Sequence, residues 1–81
     1  MEDVLRDLIV KKFLGGNASF PLAPDTELLQ QGICDSLGLL ELALDIEARY
    51  PGVRIDDQDI TPTTFGSIRR IGAYLRSRGV A

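Results

Sequence analysis

The segment Gly32-Ile33-Cys34-Asp35-Ser36-Leu37-Gly38-Leu39-Leu40-Glu41-Leu42 marks the change from irregular chain to helix on which the architecture turns. Before it, glycine, asparagine, serine and proline interrupt every periodic pattern; after it, apolar residues come at helical spacing as far as Tyr50. Asp35 stands where an N-cap belongs, with a side chain able to accept a bond from a free first-turn amide. Pro51-Gly52 ends the helix. At about 100° per residue its apolar positions fall into two stripes. Leu39, Leu42, Ala43, Ile46 and Tyr50 form the larger; Leu37, Leu40, Leu44 and Ala48 form the smaller. A surface helix needs one stripe. Two mean a helix buried on both sides or a stripe that waits for a partner. In so short a chain little is left to cover the second, so the larger stripe is expected in the core and the smaller exposed beside Ser36.

Upstream, Val4, Leu5, Leu8, Ile9 and Phe13 recur at helical spacing from Asp3 to about Leu14, with Arg6, Asp7, Lys11 and Lys12 opposite. Gly15-Gly16 stops this amphipathic helix. Residues 15–34 read as a loop pinned by Leu28 and Leu29. A loop of that length is either functional or the crossover that a bundle needs.

Downstream, Val53 and Ile55 alternate as a short extended piece, and Asp56 caps a brief helical turn through Ile60. The aspartates there lack the glycine and distant glutamate of a calcium loop. Thr61-Pro62-Thr63-Thr64 starts a last helix, from about Phe65 to Arg78, in which Phe65, Ile68, Ile71 and Leu75 face inward. Its arginines, Arg69, Arg70, Arg76 and Arg78, read as a solvated face rather than a membrane surface. The expected fold is all-α: a small four-helix bundle of three main helices and one short one, with a long first loop, in a single domain over residues 1–81.

Composition narrows the function. With 81 residues the chain buries only about 60% of its unfolded surface, which leaves no depth for a water-excluding active site. The net charge of −3 offers no basic stripe for nucleic acid. Without histidine and with one cysteine, Cys34, neither a common zinc site nor an internal disulfide is available. Cys34 reads as a small apolar filler. A lone cysteine fits a reducing, cytoplasmic setting, while the acidic start Met1-Glu2-Asp3 and the lack of a long apolar run argue for a soluble protein without a membrane partner; a monomer is expected.

Three readings of Ser36 compete. By position alone it is a helix cap, which would leave the chain a non-catalytic helical interaction module whose second stripe binds a partner. As a nucleophile it lacks a histidine base, a G-x-S-x-G elbow or a Ser-x-x-Lys pair, so no catalytic residue is assigned. As the bearer of a phosphate-linked group it is well placed, since first-turn amides and the helix dipole favour a phosphodiester there.

Asp35-Ser36-Leu37 at the head of an apolar helix, preceded by Gly32 and followed by Glu41-Leu42 and Glu47, resembles the acyl carrier protein family. The resemblance extends to the helix order, the long first loop, the acidic turn at Asp56 to Ile60 and the Thr63-Thr64-Phe65 start of the last helix. It implies that a phosphopantetheinyl transferase attaches 4′-phosphopantetheine from coenzyme A to Ser36, flanked by Asp35 and Leu37. The arm's thiol would then hold acyl or aminoacyl groups as thioesters. It also implies docking through Leu37, Leu40, Glu41, Leu44, Asp45 and Glu47 onto loading and synthase enzymes. Gly38 and Arg49 stand where fatty acid carriers usually have acidic residues, and the last helix is rich in arginine. With Asp59-Ile60-Thr61-Pro62 before Phe65, these departures look more like the freestanding carriers of polyketide, nonribosomal peptide or related specialised pathways.

Overall fold

The computed structural model describes residues 1–17, 19 and 22–79. Four α-helices occur among them: α1 (Glu2–Phe13), α2 (Ser36–Arg49), α3 (Pro62–Phe65) and α4 (Ile68–Ser77), with a 3₁₀ turn at Asp57–Asp59. No strand forms among the described residues, so Val53 and Ile55 pair with no ladder. Ile55 is buried all the same. The all-helical bundle expected from periodicity is the fold observed.

Each helix contributes one face to a common core. Leu5, Ile9 and Val10 come from α1; Leu39, Leu42, Ala43 and Ile46 from α2; Phe65 from α3; Ile68, Ile71 and Leu75 from α4. The stripe on α1 is wider than its spacing shows, because α1 packs against both α2 and α4 and thereby buries Val10.

The last helix departs from expectation. Rather than one helix from Phe65, the chain forms the four-residue α3, breaks at Gly66-Ser67 and restarts at Ile68. Ser67 causes the break: at 2% exposure its backbone is extended and its hydroxyl accepts from the Arg70 amide at 3.2 Å, so it caps α4. The apolar spacing ran through the break and concealed it.

That break clamps the long loop. The Gly66 carbonyl accepts from the Leu28 amide at 2.9 Å, and the Arg69 amide, free in the first turn of α4, donates to the Pro24 carbonyl at 3.0 Å. Leu28 is fully buried as expected, and Leu22 and Ile33 are buried beside it. Leu29 is only half-buried. Arg69 pairs with Asp25 at 3.0 Å and Arg70 with Glu27 at 2.9 Å. Two arginines of the solvated face thus also meet the loop, through exposed pairs of small individual worth.

Candidate functional site

The loop reaches α2 through Leu28, whose carbonyl accepts from the amides of Ile33 at 3.0 Å and Cys34 at 3.4 Å. Gly32, with φ of 71°, makes the turn that these bonds close. Asp35 follows with extended dihedrals, and its Oδ1 accepts from the Gly38 amide at 2.8 Å. The cap of α2 is therefore Asp35.

Ser36 is the first residue of the helix, is exposed, and its hydroxyl has no hydrogen-bond partner among the described residues. The reading of Ser36 as merely a cap fails on this geometry, because the capping bond comes from its neighbour. Nor is any base among the described residues hydrogen-bonded to the hydroxyl to take its proton. What remains is an accessible hydroxyl at the positive end of a helix dipole, beside first-turn amides. A phosphodiester on that oxygen would reach solvent without displacing a side chain, so the residues present fit a phosphate-linked group.

An open cleft of about 840 Å³ lies around the serine. Phe13, Leu29, Cys34 and Gly38 give it an apolar lining, with Asp35 and Glu41 supplying its carboxylates. Gly38 is buried, and a Cβ there would meet the Cys34 Cβ at 2.8 Å and the Phe13 ring at 3.0 Å. The missing side chain is what lets α1 end against the first turn of α2. Burial pushes the Cys34 thiol above its ordinary pKa, and the Asp35 charge adds to the shift. That matches a filler rather than a reactive thiolate.

The two stripes of α2 separate as their projection requires. Leu39, Leu42, Ala43 and Ile46 are buried, whereas Leu37, Leu40 and Leu44 are 61%, 37% and 60% exposed. Acidic residues around the exposed stripe differ in a way that spacing did not show. The Lys12 ammonium pairs with Asp45 at 3.0 Å, and the Glu47 carboxylate accepts from the Ile55 amide at 2.7 Å. Glu41, exposed, takes part in no ion pair among the described residues. Nothing in the local sequence points to Ile55 as the partner of Glu47, since the bond depends on where the chain goes after Pro51-Gly52.

The fold is a small helical bundle with an exposed serine at a capped helix start, and no group of metal-ligating side chains occurs among the described residues. The sequence matches the phosphopantetheine attachment site family over residues 3–75, and the chain belongs to that family. Members are non-catalytic carrier domains with covalently attached 4′-phosphopantetheine, served by transferases and synthase enzymes. No curated protein and no solved structure matches the chain. None of the helices among the described residues is long and apolar enough to cross a membrane.

Proposed function

We propose that Ser36 is the attachment point of the phosphopantetheine arm and that the chain carries acyl or aminoacyl thioesters in specialised biosynthesis of the polyketide or nonribosomal peptide kind. The observation that carries the attachment is the division of labour at the start of α2. Asp35 caps the helix, which leaves the Ser36 hydroxyl exposed and unengaged within the family-matched region. Leu37 stands beside it, exposed, as a contact for the modifying transferase. Arg49 and the arginines of α4 support a specialised pathway, because they thin the acidic surface on which housekeeping fatty acid carriers depend.

Docking follows from the same helix. Leu37, Leu40 and Leu44 offer apolar contact, and Glu41 is the carboxylate most open to a basic partner surface. Asp45 and Glu47 add to the acidic field, although each also holds an internal partner. Such a rim gives fast, salt-sensitive encounter and easy release, which a monomeric shuttle in a reducing, cytoplasmic setting needs. The tether raises the effective concentration of cargo at each docked enzyme.

The test is direct. Purified protein incubated with coenzyme A and a promiscuous phosphopantetheinyl transferase should gain the mass of one arm. Ser36→Ala should abolish the gain while keeping the helical circular dichroism spectrum. No gain under conditions that load a control carrier would refute the assignment. Screening the loaded form against adenylating and acyltransferase enzymes then identifies the pathway.

A further inference from the structure

Phe13 at the end of α1 meets Gly38 at the start of α2, and Glu2 at the start of α1 lies by Gly72 of α4. Helix α1 therefore runs antiparallel to both of its neighbours, and α2 and α4 end side by side at the pole of the bundle opposite Ser36. Along α2, Arg49 stands about 20 Å from Ser36, on the flank that helical projection turns away from Leu37, Leu40 and Leu44.

An open cleft of about 410 Å³ joins the two helix ends. Arg49, Tyr50 and Pro51 line it from the end of α2, Val53 from the segment that follows, and Arg78 from the end of α4. Cations at helix C-termini suit the dipole, and that alone would account for two solvated arginines. The surroundings say more. Although the chain has 12 acidic residues against 9 basic ones, its ion pairs engage Lys11, Lys12, Arg69 and Arg70. Neither Arg49 nor Arg78 has an ion pair among the described residues. Glu2 and Asp3 start α1 at the same pole, but neither lines the cleft.

Arg78 is also held in place. Its guanidinium carbon lies 5.6 Å from the centre of the Tyr74 ring, whose hydroxyl donates to Asp59 at 2.8 Å and whose centroid is 5.5 Å from that of buried Phe65. A guanidinium on an aromatic face keeps its N–H edge open to a carboxylate. Half-buried Tyr50 adds a hydroxyl without a hydrogen-bond partner among the described residues.

We propose that this cleft is a second docking surface, which takes an acidic segment of a protein partner. Arg49 and Arg78 pair with its carboxylates, Tyr50 donates to one of them, and Pro51 with Val53 contacts the aliphatic stems between. The proposal stands whichever residue bears the arm. Two arginines beside an apolar wall suit carboxylates spaced along a peptide better than one small anion, which would leave that wall in water. An anionic membrane is the poorer match, because the domain as a whole is acidic. A segment bound at this pole leaves Ser36 and the leucine stripe free, so a synthase can retain the carrier while its other end visits successive enzymes.

Isotope-labelled full-length protein titrated at low salt with the acetylated, amidated peptide Glu-Leu-Glu-Leu-Glu provides the test. The amide signals of Arg49, Tyr50, Val53 and Arg78 should move and saturate, while those of Leu37, Leu40 and Leu44 stay. Arg49→Gln and Arg78→Gln should each weaken binding about tenfold, as the loss of a charge-assisted bond requires. Arg69→Gln, which removes the same charge elsewhere on α4, should leave binding unchanged. The proposal is overturned by shifts that do not saturate, by shifts centred on Lys11 and Lys12 or on Arg69 and Arg70, or by equal shifts from inorganic phosphate. Binding to phosphatidylglycerol vesicles that the peptide fails to displace overturns it too. The wild-type titration decides even where a variant folds poorly, and the mass gained at Ser36 is measured separately, so the carrier role stands or falls on its own.

Discussion

Leu42 and Leu44 are the same residue type two positions apart on α2, yet one is fully buried and the other 60% exposed. The difference divides the helix into two faces. Leu42, with Leu39, Ala43 and Ile46, is buried in the core; Leu44, with Leu37 and Leu40, is exposed, and it is this face that we propose serves association. A small domain can afford an exposed apolar stripe only when its other stripe is packed well enough to stabilise the helix alone.

Substitutions that separate the two faces should differ sharply. The largest loss is expected for Leu42→Ala, about 2–5 kcal/mol from lost burial and the cavity left behind, read as a lower midpoint in urea. Gly66→Ala should follow at about 1–3 kcal/mol, since its Cβ would collide with the Pro62 carbonyl oxygen, a backbone atom with little room to yield. Asp35→Ala removes the cap of the helix that carries both faces, and should cost about 1 kcal/mol. Leu44→Ala should change stability by no more than about 0.5 kcal/mol while weakening association with a loading enzyme, measured by titration calorimetry. Equal destabilisation by the two leucine substitutions would erase the distinction between the faces.

The smallest expected effect is that of pH on Cys34. Its thiol titrates above the ordinary value in the folded chain, so the protonated form is the one the fold favours. The associated stability is present below the ordinary thiol pKa and is lost as pH rises through the folded value. Alkylation at pH 8 should accordingly be slower in the native protein than in urea, as followed by mass.

Much of this was legible in the sequence because helical periodicity is a local signal. The spacing that separates Leu39, Leu42 and Ile46 from Leu37, Leu40 and Leu44 is intrinsic to α2, and the Asp35 cap needs only the three residues after it. What escaped was non-local. Ser67 lies inside an unbroken apolar rhythm, so its capping role emerges only once its hydroxyl meets the Arg70 amide and the loop takes up the freed backbone groups. Leu22 and Ile33 look like isolated apolar residues among turn formers, and their burial depends on where the loop is tied. The engagement of Asp45 by Lys12 and of Glu47 by the Ile55 amide likewise joins elements that no periodic pattern relates. Gly38 was legible as a departure from an acidic position, but not as the contact point of Phe13.

The clamp at Leu28 has a consequence for motion. Its amide is bonded to Gly66 and its carbonyl serves both Ile33 and Cys34, so this loop residue joins the α3–α4 break to the start of α2 by backbone bonds alone. Opening the loop there would break bonds at both ends together with the burial of the Leu28 side chain. In native-state hydrogen exchange the Leu28 and Ile33 amides should therefore behave as members of the helical foldon, exchanging with the core rather than with the solvent-exposed segments around them. Crossover and bundle would then open as one cooperative unit, and Ser36 would sit on a rigid edge of it.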